Sequence, residues 1–213
     1  MSNRKAEIAE RQARLAAIQA AQRKGERRRT TLIAAVVGVI ALALIAVTIF
    51  VVVGENRRNA ELEEAAEGDI EGVQTYEDLT FNHVEGEVEY AQNPPVGGDH
   101  NGVWQNCGVY SEPVVDENAV HSLEHGAVWI TYDPSLPADQ VELLDAQAAS
   151  NNYVLVTPRD DLPTPVVASA WGLQLQLEDA TDERLSTFVR KYARGEQALE
   201  PGAPCTGGTG TPE

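Results

Sequence analysis

Histidine is concentrated in one part of this chain, where His100, His121 and His125 make up three of its four histidines. Imidazole nitrogen is a common ligand for zinc and copper(II), so this concentration indicates a metal site. His121 and His125 are spaced i and i+4, which places both rings on one face of a helix and lets them bind the same ion. We predict a Zn or Cu site made by these three imidazoles, with Glu124 as a fourth ligand or as a group that orients the ligands.

A loop and a short helix must bring these side chains together. The loop P-P-V-G-G-D-H ends at His100, and its glycines let the backbone approach a ligand closely. The helix is predicted over residues 116–125, with Asp116 as its N-cap and Gly126 just past its end. The fourth histidine, His83, is interpreted as an ordinary surface or core imidazole, and the sequence leaves open whether it joins the cluster.

Two other functions fit the same residues. In the first, the imidazoles form a purely structural cluster, and the domain binds another protein as an accessory part of a cell-envelope complex. In the second, His121-x-x-Glu124-His125 matches the inverted zinc-protease pattern H-x-x-E-H, whose glutamate is the general base of a zinc metallohydrolase. Those proteases carry the motif on a long helix, whereas Gly126 and a strand pattern follow here at once. The sequence therefore disfavours an enzyme, and no catalytic residue is assigned.

The segment from Leu32 to Val53 contains 22 residues and no charged side chain. A helix of this length spans the roughly 30 Å hydrocarbon core of a membrane. A cleaved signal peptide fits less well, because its apolar region is usually about 7–15 residues and no small-x-small site follows. The predicted organisation is a basic cytoplasmic helical arm (1–31), a transmembrane helix (32–53), an acidic linker (54–72), an extracytoplasmic domain (73–205) and a disordered tail (206–213).

The net charge of −17 is unevenly distributed. Residues 1–31 hold nine basic and three acidic side chains, a net charge of +6, so residues 54–213 carry −23. Basic flanks stay cytoplasmic, which predicts a plasma-membrane protein with its N-terminus inside and its domain outside. The acidic domain is repelled by nucleic acid, and no glycine-rich phosphate loop follows a predicted strand. We expect the membrane and an envelope protein as partners, and neither nucleic acid nor nucleotide.

Cys107 and Cys205 are the only cysteines. Outside the cytosol, such a pair is most simply a disulfide, which would stabilise the fold by about 4–5 kcal/mol on the chain-entropy model. The alternative is that Cys107 is a thiolate metal ligand. The sequence leaves both open.

The remaining pattern predicts an α/β fold of the α+β kind, with a small mixed sheet and flanking helices. Strands are predicted over 128–132, 153–157 and 165–171, the last running on to 177, and helices over 138–150 and 182–194. The first strand–helix–strand unit implies a parallel pair, and the short connection after it implies an antiparallel third strand. Residues 73–91 alternate like strands, with a hairpin turn at E-G-E.

Several segments together resemble one known family: P-P-V-G-G-D-H, G-V-Y, H-S-L-E-H-G-A-V-W-I-T-Y and S-A-W-G. They are similar to an actinobacterial group of membrane-anchored proteins, domain-of-unknown-function family 3105, over residues 83–192. The resemblance implies that His100, His121, Glu124 and His125 lie on the family's motif. The family commonly has P-P-T-S-G-x-H, and the V-G that replaces T-S here leaves the histidine in place. The resemblance implies no activity.

Overall fold

The computed structural model describes residues 2–213, without the side chains of residues 2–9, 12, 17, 18, 20 and 21. Met1, the first residue of the predicted arm, lies outside the described residues. The chain divides into two compact units, residues 1–58 and residues 59–213.

The first helix, α1, runs from Ser2 to Glu67 and contains the whole apolar segment. It is long and apolar enough to cross a membrane, with a mean hydropathy of 3.2 in its most apolar window. The side chains of residues 32–53 are exposed, as lipid contact requires. Because α1 continues to Glu67, most of the predicted linker is helical.

The described part of the second unit contains one six-stranded mixed sheet with three further helices, as the sequence predicts. The strands are β1 (Val73–Thr75), β2 (Gly108–Val109), β3 (Val128–Tyr132), β4 (Val154–Pro158), β5 (Val166–Ala170) and β6 (Leu173–Leu177). The helices are α2 (Asp116–Glu124), α3 (Ala138–Ser150) and α4 (Glu183–Tyr192). The strand order is β1-β6-β5-β3-β4-β2. β4 pairs in parallel with β3 and β2, and the other neighbours are antiparallel.

The central strand β3 is buried on both faces, which explains its mostly apolar sequence. Val128 and Ile130 face a core that includes Leu144 of α3 and Phe188 of α4. Trp129 points the opposite way, into a second core built with α2. The sheet thus lies between α2 on one face and α3 and α4 on the other, and this sandwich fixes the position of α2.

The parallel β3–α3–β4 unit and an antiparallel third strand are confirmed. The predicted long third strand is wrong, because the chain reverses at Gly172 and forms two paired strands, β5 and β6. Gly172 has a φ of +71°, a conformation that glycine adopts without steric cost. On its other side β5 pairs antiparallel with β3, which lies two strands earlier in the chain, and not with β4.

The predicted hairpin at residues 84–90 is also wrong, since the described backbone there forms no strand pair with itself. Instead, the amide of Val84 donates to the carbonyl of His100 at 2.8 Å, and the amide of His100 donates to the carbonyl of Asn82 at 3.0 Å. The amide of Val88 donates to the Glu117 carboxylate of α2 at 2.7 Å. This segment therefore satisfies its backbone groups against the loop and helix predicted to hold the metal.

The C-terminal residues 206–213, predicted to be disordered, lie along the β2 edge in the structure. The amide of Thr209 donates to the carbonyl of Trp104, and the amide of Asn106 donates to the carbonyl of Thr209, both at 2.9 Å. Just before this segment, Cys205 forms a disulfide with Cys107, and their Cα atoms are 5.4 Å apart. No free cysteine remains for metal ligation.

Candidate metal centre

The helix α2 positions two of the histidines, and both of its ends are fixed. Its N-cap is Val115, so the prediction that Asp116 caps the helix is wrong. The Asp116 carboxylate instead accepts two hydrogen bonds from the guanidinium of Arg159, at 2.5 and 2.9 Å. At the other end Gly126 has a φ of +95°, and a Cβ there would lie 2.9 Å from the Cα of Arg194. A glycine is required at this position to stop the helix just after its last histidine.

Residues 101–105 of the loop before α2 are hydrogen bonded to the helix. The amide of Gln105 donates to the carbonyl of Asn118 at 2.9 Å, and the Ser122 hydroxyl donates to the carbonyl of Gln105 at 2.7 Å. The Asn118 side-chain amide donates to the carbonyl of Val103 at 2.5 Å. The loop histidine and the helix histidines are therefore held on one rigid element.

Three imidazole rings are oriented by the same kind of hydrogen bond, from Nδ1 to a backbone carbonyl. The distances are 2.7 Å for His100 to Gly98, 2.6 Å for His121 to Asn101 and 2.7 Å for His125 to Pro204. A carbonyl oxygen can only accept, so Nδ1 carries the proton in each ring. In the neutral ring, Nε2 then presents its lone pair, and this is the arrangement that metal-binding histidines use.

The Nε2 atoms of two of these rings, and that of His83, lie around the Glu124 carboxylate. Its Oε2 lies 3.0 Å from Nε2 of His100, 3.5 Å from Nε2 of His83 and 3.9 Å from Nε2 of His121. The four ligand atoms all lie within 4.8 Å of one another. In a tetrahedral site, zinc–nitrogen bonds of about 2.0–2.1 Å place the ligand atoms about 3.3–3.4 Å apart, so the widest-spaced pair must move closer by at most about 1.5 Å to bind one ion.

The structure thus places three of the four predicted ligands together and adds His83, which the sequence interpretation left as an ordinary imidazole. His125 lies at the edge of the cluster, with its Nε2 3.0 Å from Nε2 of His121 and 3.6 Å from Oε2 of Glu200. One feature of the sequence points to His83, since it is the only histidine besides the three that were predicted as ligands. Its place depends on a β-bridge with His100, which local sequence does not reveal.

Burial divides the cluster into closed and open parts. The side chains of His100, His121 and Glu124 are almost completely buried, whereas that of His83 is 54% exposed. The His83 ring stacks on that of His121, with centroids 4.7 Å apart and planes inclined by 18°. The centre is therefore sealed beneath α2 and reaches solvent at His83.

Aromatic rings line the closed part. Trp171 lies edge-on to His100 with centroids 5.8 Å apart, and Trp104 lies 5.0 Å from His125. Such rings exclude water and strengthen the electrostatic interactions between the charges they enclose. The indole nitrogen of Trp104 is buried and has no hydrogen-bond partner among the described residues.

Two contacts in the cluster need a positive charge between them. The Nε2 atoms of His121 and His125 face each other at 3.0 Å, and Nε2 of His100 faces the Glu124 carboxylate at 3.0 Å. With Nδ1 protonated in each ring, both contacts set electron pairs against each other unless a proton or a cation lies between them. Burial lowers the pKa of His121, the neighbouring His125 and His100 lower it further, and only the Asn101 hydrogen bond and Glu124 oppose this. The lowered pKa of His121 disfavours a proton on that ring.

Fold and site together define a class of protein. A helix long and apolar enough to cross a membrane precedes a small α+β domain, and that domain gathers three of the four histidines of the chain beside one buried carboxylate. The family described as protein of unknown function (DUF3105) matches residues 83–207, more than half of the chain, and the chain belongs to this family. The matched segment runs from His83 past Cys205. Neither the curated proteins nor the solved structures include a match to the chain.

Proposed function

We propose that this domain binds one divalent transition-metal ion, Zn²⁺ or Cu²⁺, through Nε2 of His83, His100 and His121 and the carboxylate of Glu124. A set of imidazoles with one carboxylate suits both ions. The observation that carries the proposal is the set of Nδ1 hydrogen bonds to backbone carbonyls, because they fix the rings with their lone pairs turned towards Glu124.

A purely structural cluster is the second candidate, and the geometry supports it less well. Without a metal, the contacts of His121 with His125 and of His100 with Glu124 both require an additional proton in a buried place. Burial lowers the pKa of His121, so protonation there is disfavoured. A cation bound to this set of ligands removes the conflict between His100 and Glu124, and it occupies the lone pair that His121 turns towards His125.

The role of Glu124 argues for binding rather than hydrolysis. A general base must face a metal-bound water, whereas Oε2 of Glu124 lies among the imidazole nitrogens of the proposed ligands, at 3.0, 3.5 and 3.9 Å. Glu124 is also the last residue of α2, so the H-x-x-E-H motif ends its helix instead of lying within a long one. Both features favour a ligand role for this carboxylate.

We further propose that α1 anchors the protein in the plasma membrane with the metal domain on the outer side. The exposed apolar segment supports the anchor, and the disulfide supports an oxidising compartment for the domain. The +6 charge before the apolar segment supports a cytoplasmic N-terminus. In that place the domain would handle metal beside an envelope protein partner.

The test is the metal content of the full-length chain, purified in detergent without chelator and analysed by elemental analysis. We expect about one equivalent of zinc or copper in the wild type. We expect a loss of affinity of about 100-fold or more for Glu124→Gln, because a ligand is removed. Glu112→Gln is the matched control, since Glu112 is an exposed glutamate on the loop before α2. A wild-type chain that holds no metal, and whose melting is unchanged by added Zn²⁺ or Cu²⁺, would contradict the proposal.

A further inference from the structure

We infer that His125 and Glu200 form an outer metal position that shares His121 with the proposed centre and through which the ion enters and leaves. This inference rests on the proposed function and deepens it. It gives a role to the one predicted ligand, His125, that the structure places at the edge of the cluster.

The outer position is defined by three atoms. Nε2 of His125 lies 3.0 Å from Nε2 of His121 and 3.6 Å from Oε2 of Glu200. An ion that binds two imidazoles at about 2.0–2.1 Å holds their nitrogens about 3–3.5 Å apart, so the two histidines already have the spacing of a shared ion. The Glu200 side chain is 60% exposed and adds a carboxylate at the surface.

The backbone beneath this position is fixed by the C-terminal segment, residues 200–205. The amide of Glu200 donates to the carbonyl of Glu124 at 2.9 Å, and the amide of Gly202 donates to the carbonyl of His125 at 3.1 Å. The carbonyl of Pro204 accepts from Nδ1 of His125 at 2.7 Å, and the disulfide follows at Cys205. Both the imidazole and the carboxylate are therefore attached to a rigid frame at the end of α2.

His125 does not belong to the set of atoms that lie within 4.8 Å of one another. An ion bound by His100 and Glu124 must therefore leave His125, and an ion bound by His125 and Glu200 must leave His100 and Glu124. His121 can stay bound throughout, because its Nε2 lies close to both sets. The transfer is a ligand exchange in which Nε2 of His125 and the Glu200 oxygen depart as Nε2 of His100 and the Glu124 oxygen bind. The ion keeps its charge, and no electron is transferred.

A second route, through the exposed ring of His83, gives a different expectation. His83 belongs to the inner set, so its removal weakens equilibrium binding. Ligands that act only during entry lower the barrier for arrival and departure together. Their removal slows both rates and changes the dissociation constant far less than either rate.

The experiment measures zinc uptake and release by stopped flow with a chromophoric chelator, using the full-length chain in detergent. For Glu200→Gln and for His125→Asn we expect both rates to fall by about tenfold, in the range that outer groups around a metal usually contribute. Glu196→Gln is the matched control, because Glu196 is exposed four residues before Glu200 and its substitution removes the same charge. It is expected to exchange zinc at the wild-type rate.

The outcomes separate this inference from the proposed function. Zinc bound by the wild type but exchanged at unchanged rates in Glu200→Gln overturns the inference alone. Loss of the bound ion in His125→Asn also overturns it, because His125 would then be an inner ligand. A Co²⁺-loaded His125→Asn variant with the wild-type visible spectrum supports it. If His125→Asn fails to fold, the rates of zinc uptake and release in Glu200→Gln still test the inference. A wild type that binds no zinc overturns the proposed function itself.

Discussion

At His121, burial and hydrogen bonding act on a single ring that contacts both sides of the cluster. Its Nδ1 donates to the carbonyl of Asn101, while its Nε2 lies 3.0 Å from that of His125 and 3.9 Å from the Glu124 carboxylate. This residue therefore links the buried ligands to the outer position. Its protonation state decides whether that lone pair is available to a metal.

The metal-free protein is expected to lose stability in mild acid, in part through His121. Burial lowers the pKa of this ring below its ordinary value in the folded state, so the unfolded chain binds more protons below about pH 6.5. The stability that the neutral ring contributes is present above that pH and is lost as the pH falls through the folded-state pKa. Denaturant unfolding between about pH 7.5 and about pH 5 should show a steeper decline for the wild type than for His121→Asn. Identical slopes would contradict this.

For single residues, the sequence predicts those contacts that local backbone geometry determines. The pairing of His121 with His125 follows from helical periodicity, so an i, i+4 spacing sufficed to predict it. The contact of His83 with Glu124 depends on backbone pairing between residues 82–84 and His100. Nothing local encodes that pairing, so His83 was left out. The ligand roles of all these residues stay predictions until metal is measured.

Among the elements, α2 matters most to the site, and its N-terminus is attached to the end of the sheet by one ion pair. Arg159, just past β4, donates to both carboxylate oxygens of Asp116 and also to the side chain of Asn93 at 2.7 Å. Its guanidinium lies 5.7 Å from the centre of the Trp129 ring. The pair is about three-quarters buried on each side, so solvent screens it only in part.

Breaking this ion pair should destabilise the domain through α2. In a double-mutant cycle, Arg159→Ala and Asp116→Asn are expected to show a coupling energy of about 1–2 kcal/mol, because a bidentate charge-assisted pair is lost in a partly buried place. Arg159→Lys should recover only part of this, since an ammonium cannot donate in parallel to both oxygens. Unfolding in denaturant measures all four variants. Additive effects of the two single substitutions would show that the pair contributes nothing specific.

The sequence predicts those elements that local patterns determine, and it fails where a distant residue takes part, as Arg159 does in this ion pair. The β3–α3–β4 unit was predictable, because hydrophobic patterns and a short crossover determine it locally. The N-cap of α2 was not predictable. Local rules assign the Asp116 side chain to capping, but it pairs instead with Arg159, 43 residues later. The prediction of a hairpin at residues 84–90 is wrong for a similar reason, since backbone groups of this segment pair with a distant loop. Long-range partners override local preference in both places.

For the molecule as a whole, the disulfide closes a long loop around the site. Cys107 and Cys205 are separated by 98 residues, and the segment before Cys205 contacts the end of α2. Replacing both cysteines by serine is expected to lower the free energy of unfolding by about 4–5 kcal/mol, because the unfolded chain regains that loop entropy. Comparing this variant with the oxidised wild type in denaturant gives the value. A loss below about 1 kcal/mol would show that the bridge adds little to what the hydrogen bonds provide.

The uneven charge of the chain leads to a prediction about its orientation in the membrane. Residues 1–31 carry +6 and residues 54–213 carry −23, with the apolar segment of α1 between them. Basic residues next to a span are retained in the cytoplasm, so the acidic domain is expected outside. In intact cells expressing the chain with a different epitope at each end, external protease should remove the C-terminal epitope and spare the N-terminal one. Permeabilised cells serve as the control, because both epitopes should then be digested. A protected C-terminal epitope in intact cells would place the domain in the cytosol, where a lasting Cys107–Cys205 bridge is not expected and the proposed role in the envelope fails.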